Sequence, residues 1–132
     1  EANNFLKKVF KYSLGISIIV FLLSILLGEF SLLLVFGEEA KNSINIFYIL
    51  SPLIIILPMA YLFFNVILLS FKLDKYFSKL YIIGGITNLS MIFILFQFLE
   101  KKIIAVSLSL LITELLIMLL AYILIKNKGL MD

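Results

Sequence analysis

Glu114 sits inside an apolar run, with 11 positions on either side of it between Ile103 and Ile125. At about 1.5 Å per residue, a helix through this run carries the carboxyl group to the midplane of a bilayer. An ionised carboxylate at that depth costs on the order of 3 kcal/mol, so it is expected to face the bundle interior or a water-filled cavity, or to carry a proton. Ser107 lies two turns earlier on the same face. Asn88, near the middle of the preceding run, has similar depth and is an expected partner. Two duties stay open for Glu114: ion or proton coupling with contact to a polar substrate, or hydrogen bonding between helices. A second group lies upstream, where Pro52 and Pro58 deprive the carbonyls of Tyr48 and Ile54 of their usual partners and predict helix kinks. Pro58, Tyr61 and Asn65 share a face, so a freed carbonyl and two polar side chains can line an aqueous cavity; ordinary kinking against neighbours is the alternative.

Other chemistries lack their parts. The chain has no Cys and no His, which removes thiolate and imidazole metal sites and the common general base. No metal, no cofactor and no catalytic residue is expected, and the protein is not read as an enzyme. Every basic residue is Lys and the net charge is only +3, so no nucleic-acid partner is expected either.

The elements that must position these residues follow from composition. Of 132 residues, 64% are hydrophobic and 14% charged, with a mean hydropathy of +1.22. Soluble domains run at about 45–50% apolar and 25% charged, so a soluble globule and a disordered chain are both excluded. Four apolar stretches are long enough to cross about 30 Å of hydrocarbon as helices: 12–36, with its core ending near Leu27, then 44–71, 76–99 and 103–125. The expected fold is an all-α membrane protein of four antiparallel transmembrane helices. Gly37 is expected to end the first helix in a left-handed conformation, GEEAKNS to form a loop, and Asn42 or Ser43 to cap the second helix. The other two connections are short enough to force hairpins. Eight lysines (Lys7, Lys8, Lys11, Lys72, Lys75, Lys79, Lys126, Lys128) fall at one set of helix ends and three (Lys41, Lys101, Lys102) at the other, which predicts both termini in the cytoplasm. Ser13, Ser17, Ser24, Gly28 and Ser31 form a small-residue stripe, read as a packing seam or a substrate-lining face. Gly84, Gly85, Thr87 and Asn88 form another, read as buried.

The order of parts carries a resemblance: a basic helix start, an apolar span, VFGEEAKNS, a proline-bearing helix, a short basic turn and two further spans. This resembles the bacterial polysaccharide and oligosaccharide flippases, of O-antigen type, in the multidrug, oligosaccharidyl-lipid and polysaccharide exporter superfamily. Gly37, Glu38 and Glu39 match the glycine and acidic positions that follow the family's ninth helix. Ala105 to Glu114 matches a small-residue run leading to a Glu in the last helix, with Ala105 and Leu110 replacing the usual Gly and Thr and Lys102 standing where another Gly is frequent. The resemblance covers nearly the whole chain, as the last four of twelve helices in a two-lobe transporter. It implies translocation of a lipid-linked oligosaccharide across the bacterial cytoplasmic membrane by alternating access, with membrane lipid and the missing N-terminal helices as partners. The start at Glu1, with no recognisable signal peptide, agrees with a piece of a longer chain. Two rivals are a small four-helix proton-coupled drug exporter and a noncatalytic membrane scaffold subunit.

Overall fold

In the computed structural model, which describes residues 2–130, the first apolar stretch is one unbroken 35-residue helix, α1 (Ala2–Phe36). Gly28 and Glu29 do not interrupt it. A lone Gly costs a helix only about 1 kcal/mol, and the apolar residues on either side continue the helical run. Gly37 then takes φ +65°, as the sequence predicts, and a 3-10 turn (Gly37–Ala40) leads straight into α2 (Lys41–Leu50). The expected GEEAKNS loop is therefore absent. Lys41, Asn42 and Ser43 already belong to α2, and neither Asn42 nor Ser43 caps it; its N-cap position is Ala40, with no side-chain hydrogen bond. The 3-10 turn pairs the Lys41 N–H with the Glu38 carbonyl, and an ion pair between the same two side chains spans the turn. Left-handed geometry at one glycine reverses the chain without further residues.

The second expected helix, 44–71, is in pieces. After α2 the chain turns at residues 51 and 52, resumes as α3 (Leu53–Tyr61) with Pro58 inside it, and widens into a π-helical stretch (Leu62–Leu68). The Pro52 ring cannot donate to Tyr48, and the Ser51 hydroxyl does so instead at 2.8 Å, which is how the break is tolerated in an apolar setting. A turn with Lys72 at φ +55° leads to α4 (Asp74–Phe98), and a three-residue connection leads to α5 (Lys102–Asn127). Both lie within two residues of the expected spans. Three stretches are long and apolar enough to cross a membrane: Asn4–Leu50, which doubles back at Gly37, Asp74–Phe98 and Lys102–Asn127. Leu53–Leu68 is apolar but shorter. Among the described residues there is no strand.

The helices run antiparallel in sequence. Gly28 and Glu29 lie against Phe47 and Tyr48, while Phe10, near the other end of α1, stacks on Phe63. Likewise Lys102 lies over Phe96 and Lys128 over Tyr76 at opposite ends of the α4–α5 pair. α5 is central, packed on α2, α3, the π stretch and α4, whereas α1 packs on α2 and α3. The small side chains Ala105, Ser109 and Ala121, all fully buried, make that central place possible. Without a hydrophobic drive between helices in lipid, close backbone approach has to supply the dispersion contacts.

The core lies at one end of the molecule. Leu6, Met59, Ala60, Leu62, Phe63, Phe64, Ile67 and Leu68 of α3 and the π stretch with Leu80, Ile117, Ala121 and Ile125 form one cluster, with Leu73 and Leu130 packed against it. The eight lysines next to those positions therefore gather at this end, and Lys41, Lys101 and Lys102 at the other. Of the α1 stripe, Ser17 and Gly28 are buried, Ser13 and Ser24 half-buried and Ser31 exposed. A Cβ at Gly28 would overlap the Phe47 ring, so this glycine is the place where α1 meets α2. The α4 stripe is only partly covered. Gly84 is buried, with Ile117 3.1 Å from where its Cβ would stand, but Gly85 faces open space. These two neighbours are about 100° apart on the helix, and only one faces α5.

Candidate functional site

Glu114 and the proline-bearing segment meet. Leu57, Pro58, Tyr61, Phe64 and Asn65 from α3 and the π stretch, Tyr81 from α4, and Glu114 and Ile117 from α5 line an open groove of about 440 Å³. The local reasons are legible. Pro58, Tyr61 and Asn65 are spaced at one turn each, and Asn65 lies inside the π stretch, whose wider turn changes the side-chain register. Tyr81 and Gly84 are one turn apart on α4, and Glu114 and Ile117 one turn apart on α5. Close approach at Gly84 and Ile117 brings Tyr81 to the same groove as Glu114.

One wall of the groove is aromatic. The Phe64 and Tyr81 ring centroids are 5.1 Å apart, Phe77 and Tyr81 4.8 Å, and Phe64 and Phe77 5.9 Å, distances at which tilted and edge-to-face contacts are favourable. The Tyr81 ring rests on Phe64 and Phe77 along one edge, and Tyr61 and Tyr81 are both exposed at the mouth. The polar groups are two phenols, one amide and one carboxylate, and no lysine lines the groove. Such a lining can stack on a flat or ring-shaped apolar face while donating to and accepting from hydroxyl or amide groups. Among the described residues no hydrogen bond or ion pair reaches the Glu114 carboxylate, and no cluster of three metal-ligating side chains exists.

Asn88 and Ser107 are not in this groove. Asn88 Nδ2 donates to Ser109 Oγ at 3.3 Å and to Thr113 Oγ1 at 3.4 Å, so the expected pairing with Glu114 is replaced by one with its neighbour on α5. Thr113 points at α4, and Glu114, about 100° further round the helix, points toward α3. Ser107 is buried, lies outside the lining of the groove, and donates to the Ile103 carbonyl of its own helix at 2.9 Å. Pro52 marks the break between α2 and α3, away from the groove.

Tyr81, Phe64 and Ile117 were not singled out from the sequence. The Gly84 approach was the available signal, because the residue one turn before a close-packed glycine also faces the partner helix. At the far end, Tyr48 donates to Glu29 at 3.4 Å, a polar link between α1 and α2 in a region that reads as apolar in sequence. Against known proteins, no family model, no curated protein and no solved structure matches the chain.

Proposed function

We propose that this chain crosses the bacterial cytoplasmic membrane four times, with both termini inside, and forms part of a transporter that flips a lipid-linked oligosaccharide by alternating access. The observation that carries this reading is the groove that joins Tyr61, Asn65 and Tyr81 to Glu114 beside a proline-broken helix. A sugar presents an apolar face ringed by hydroxyls. Tyrosine rings can cover the face, and Asn and a carboxylate can hold the hydroxyls, inside a lobe that leaves the lipid tail in the bilayer. The broken second helix supports movement of such a lobe, since α2 and α3 are separated by a turn in which the Ser51 hydroxyl takes up the Tyr48 carbonyl that Pro52 leaves free. The VFGEEAKNS and Ala105 to Glu114 resemblances favour the oligosaccharide class, and the eight-to-three lysine distribution favours the inward termini.

The test is surface polysaccharide display in cells that depend on this transporter. Glu114→Gln and Tyr61→Ala should each lower display at least about tenfold at unchanged membrane level, the expected loss of one well-placed polar or stacking contact. Full display in both variants would overturn the reading. One observation favours a second reading. A carboxylate between aromatic rings with no nearby lysine also suits a lipophilic cation exchanged for protons. In that case Glu114→Gln would abolish resistance to cationic drugs and leave polysaccharide display intact.

A further inference from the structure

The outer face of α4 carries a second, separate arrangement. Lys75, Ser78 and Lys79 border a shallow groove that continues onto Ile82 and Ile83, with Asp74 at its rim. Lys75, Ser78, Lys79 and Ile82 are spaced at single turns, so two ammonium groups and a hydroxyl stand directly above an apolar track on one helix face. The track goes on. Ile82, Ile86, Leu89 and Phe93 follow steps of four, three and four, and all four are exposed. From Ile82 to Phe93 is 11 residues, about 16 Å of helix, which matches one leaflet of a hydrocarbon layer about 30 Å thick. The opposite side of α4 behaves differently: Leu80 and Gly84 are buried, and Lys128 is drawn over Tyr76.

We infer that this face binds an anionic phospholipid, its phosphate held between Lys75 and Lys79 with Ser78 donating, and one acyl chain laid along Ile82, Ile86, Leu89 and Phe93. Charge complementarity selects the headgroup, and the length of the apolar track selects a lipid over a soluble phosphate. Asp74 carries one negative charge at the rim against two lysines in the groove, so the local balance stays positive. The occupant is distinct from any substrate of the Glu114 groove, which opens between α3, α4 and α5 and contains no lysine.

The chain contains no Trp, so one introduced indole reports on a single place. Ile86→Trp in the detergent-solubilised full chain is titrated with phospholipids brominated on the acyl chains. Phosphatidylglycerol should quench at roughly 25-fold lower mole fraction than phosphatidylcholine, about fivefold for each lysine. Adding Lys75→Gln and Lys79→Gln should erase this preference, while Lys101→Gln with Lys102→Gln at the opposite end should preserve it, and inorganic phosphate should not compete. Both lysines are exposed, and helicity measured on the same samples verifies that the variants are folded. Equal quenching by the two lipids, a preference that survives loss of Lys75 and Lys79, equal loss in the Lys101 and Lys102 variant, or displacement by inorganic phosphate would each overturn the inference.

Discussion

Replacing Asn88 by Ala removes the polar link between α4 and α5, and the structure sets both the size of the effect and the residues that share it. Interhelical hydrogen bonds in bilayers average about 0.6 kcal/mol, so two bonds would suggest about 1.2 kcal/mol. Both are long, at 3.3 and 3.4 Å, beyond the usual upper limit of about 3.2 Å for N–H···O. Ser109 also keeps a partner after the change, since its hydroxyl donates to the Val106 carbonyl at 2.9 Å. The expected destabilisation is therefore about 0.5–1 kcal/mol, near the lower end of the range. Unfolding in mixed micelles measures it, and double-mutant cycles assign it. Asn88→Ala with Thr113→Val, and with Ser109→Ala, should each show coupling of about 0.3–0.6 kcal/mol, whereas Asn88→Ala with Glu114→Gln should be additive. Coupling to Glu114 without coupling to Thr113 would refute the reasoning and restore the pairing suggested by depth in the membrane alone.

Other outcomes follow from the same geometry. Ser51→Ala should destabilise the chain by about 1 kcal/mol, because the Tyr48 carbonyl loses the hydroxyl that stands in for the missing Pro52 N–H. Adding Pro52→Ala should recover much of that loss in the same unfolding assay, since a backbone N–H then returns at residue 52. Gly37→Ala should cost about 1–2 kcal/mol, all of it from the left-handed backbone, as open space surrounds the position of the new methyl. Gly28→Leu should push Phe47 aside and destabilise the α1–α2 contact in the same unfolding assay, while Gly85→Leu, facing open space, should be tolerated. On the proposed topology, reporter fusions at Glu39 and at Lys126 should locate on opposite sides of the membrane, outside and inside respectively, and the reverse result would overturn the orientation derived from lysine placement.

Much of the chain is legible without coordinates. Apolar runs separated by Gly37, by residues 72–75 and by residues 100–102 give the helix ends of α4 and α5 to within two residues, because lipid requires each backbone to satisfy itself along one uninterrupted element. Gly37 was legible for the same local reason: its missing Cβ permits φ +65°. Pattern alone did not reveal the 3-10 turn after it. Nor did it reveal the π stretch, whose bonds reach one residue further than an α-helix and leave no compositional mark in LFFNVIL.

The sequence by itself determined that this is an all-helical, lipid-compatible chain with a carboxylate midway along its last helix and a proline, Pro52, that breaks its second rod; composition and backbone chemistry suffice for that. Only the tertiary structure decided which polar groups meet. Rotation of α5 turns Thr113 to Asn88 and Glu114 to Tyr61 and Tyr81, and Gly84 lets α4 come near enough to complete the groove. Depth along a helix can be counted from residue numbers, but the direction a side chain faces depends on which neighbouring helix packs there, and that choice is made by contacts between elements far apart in sequence.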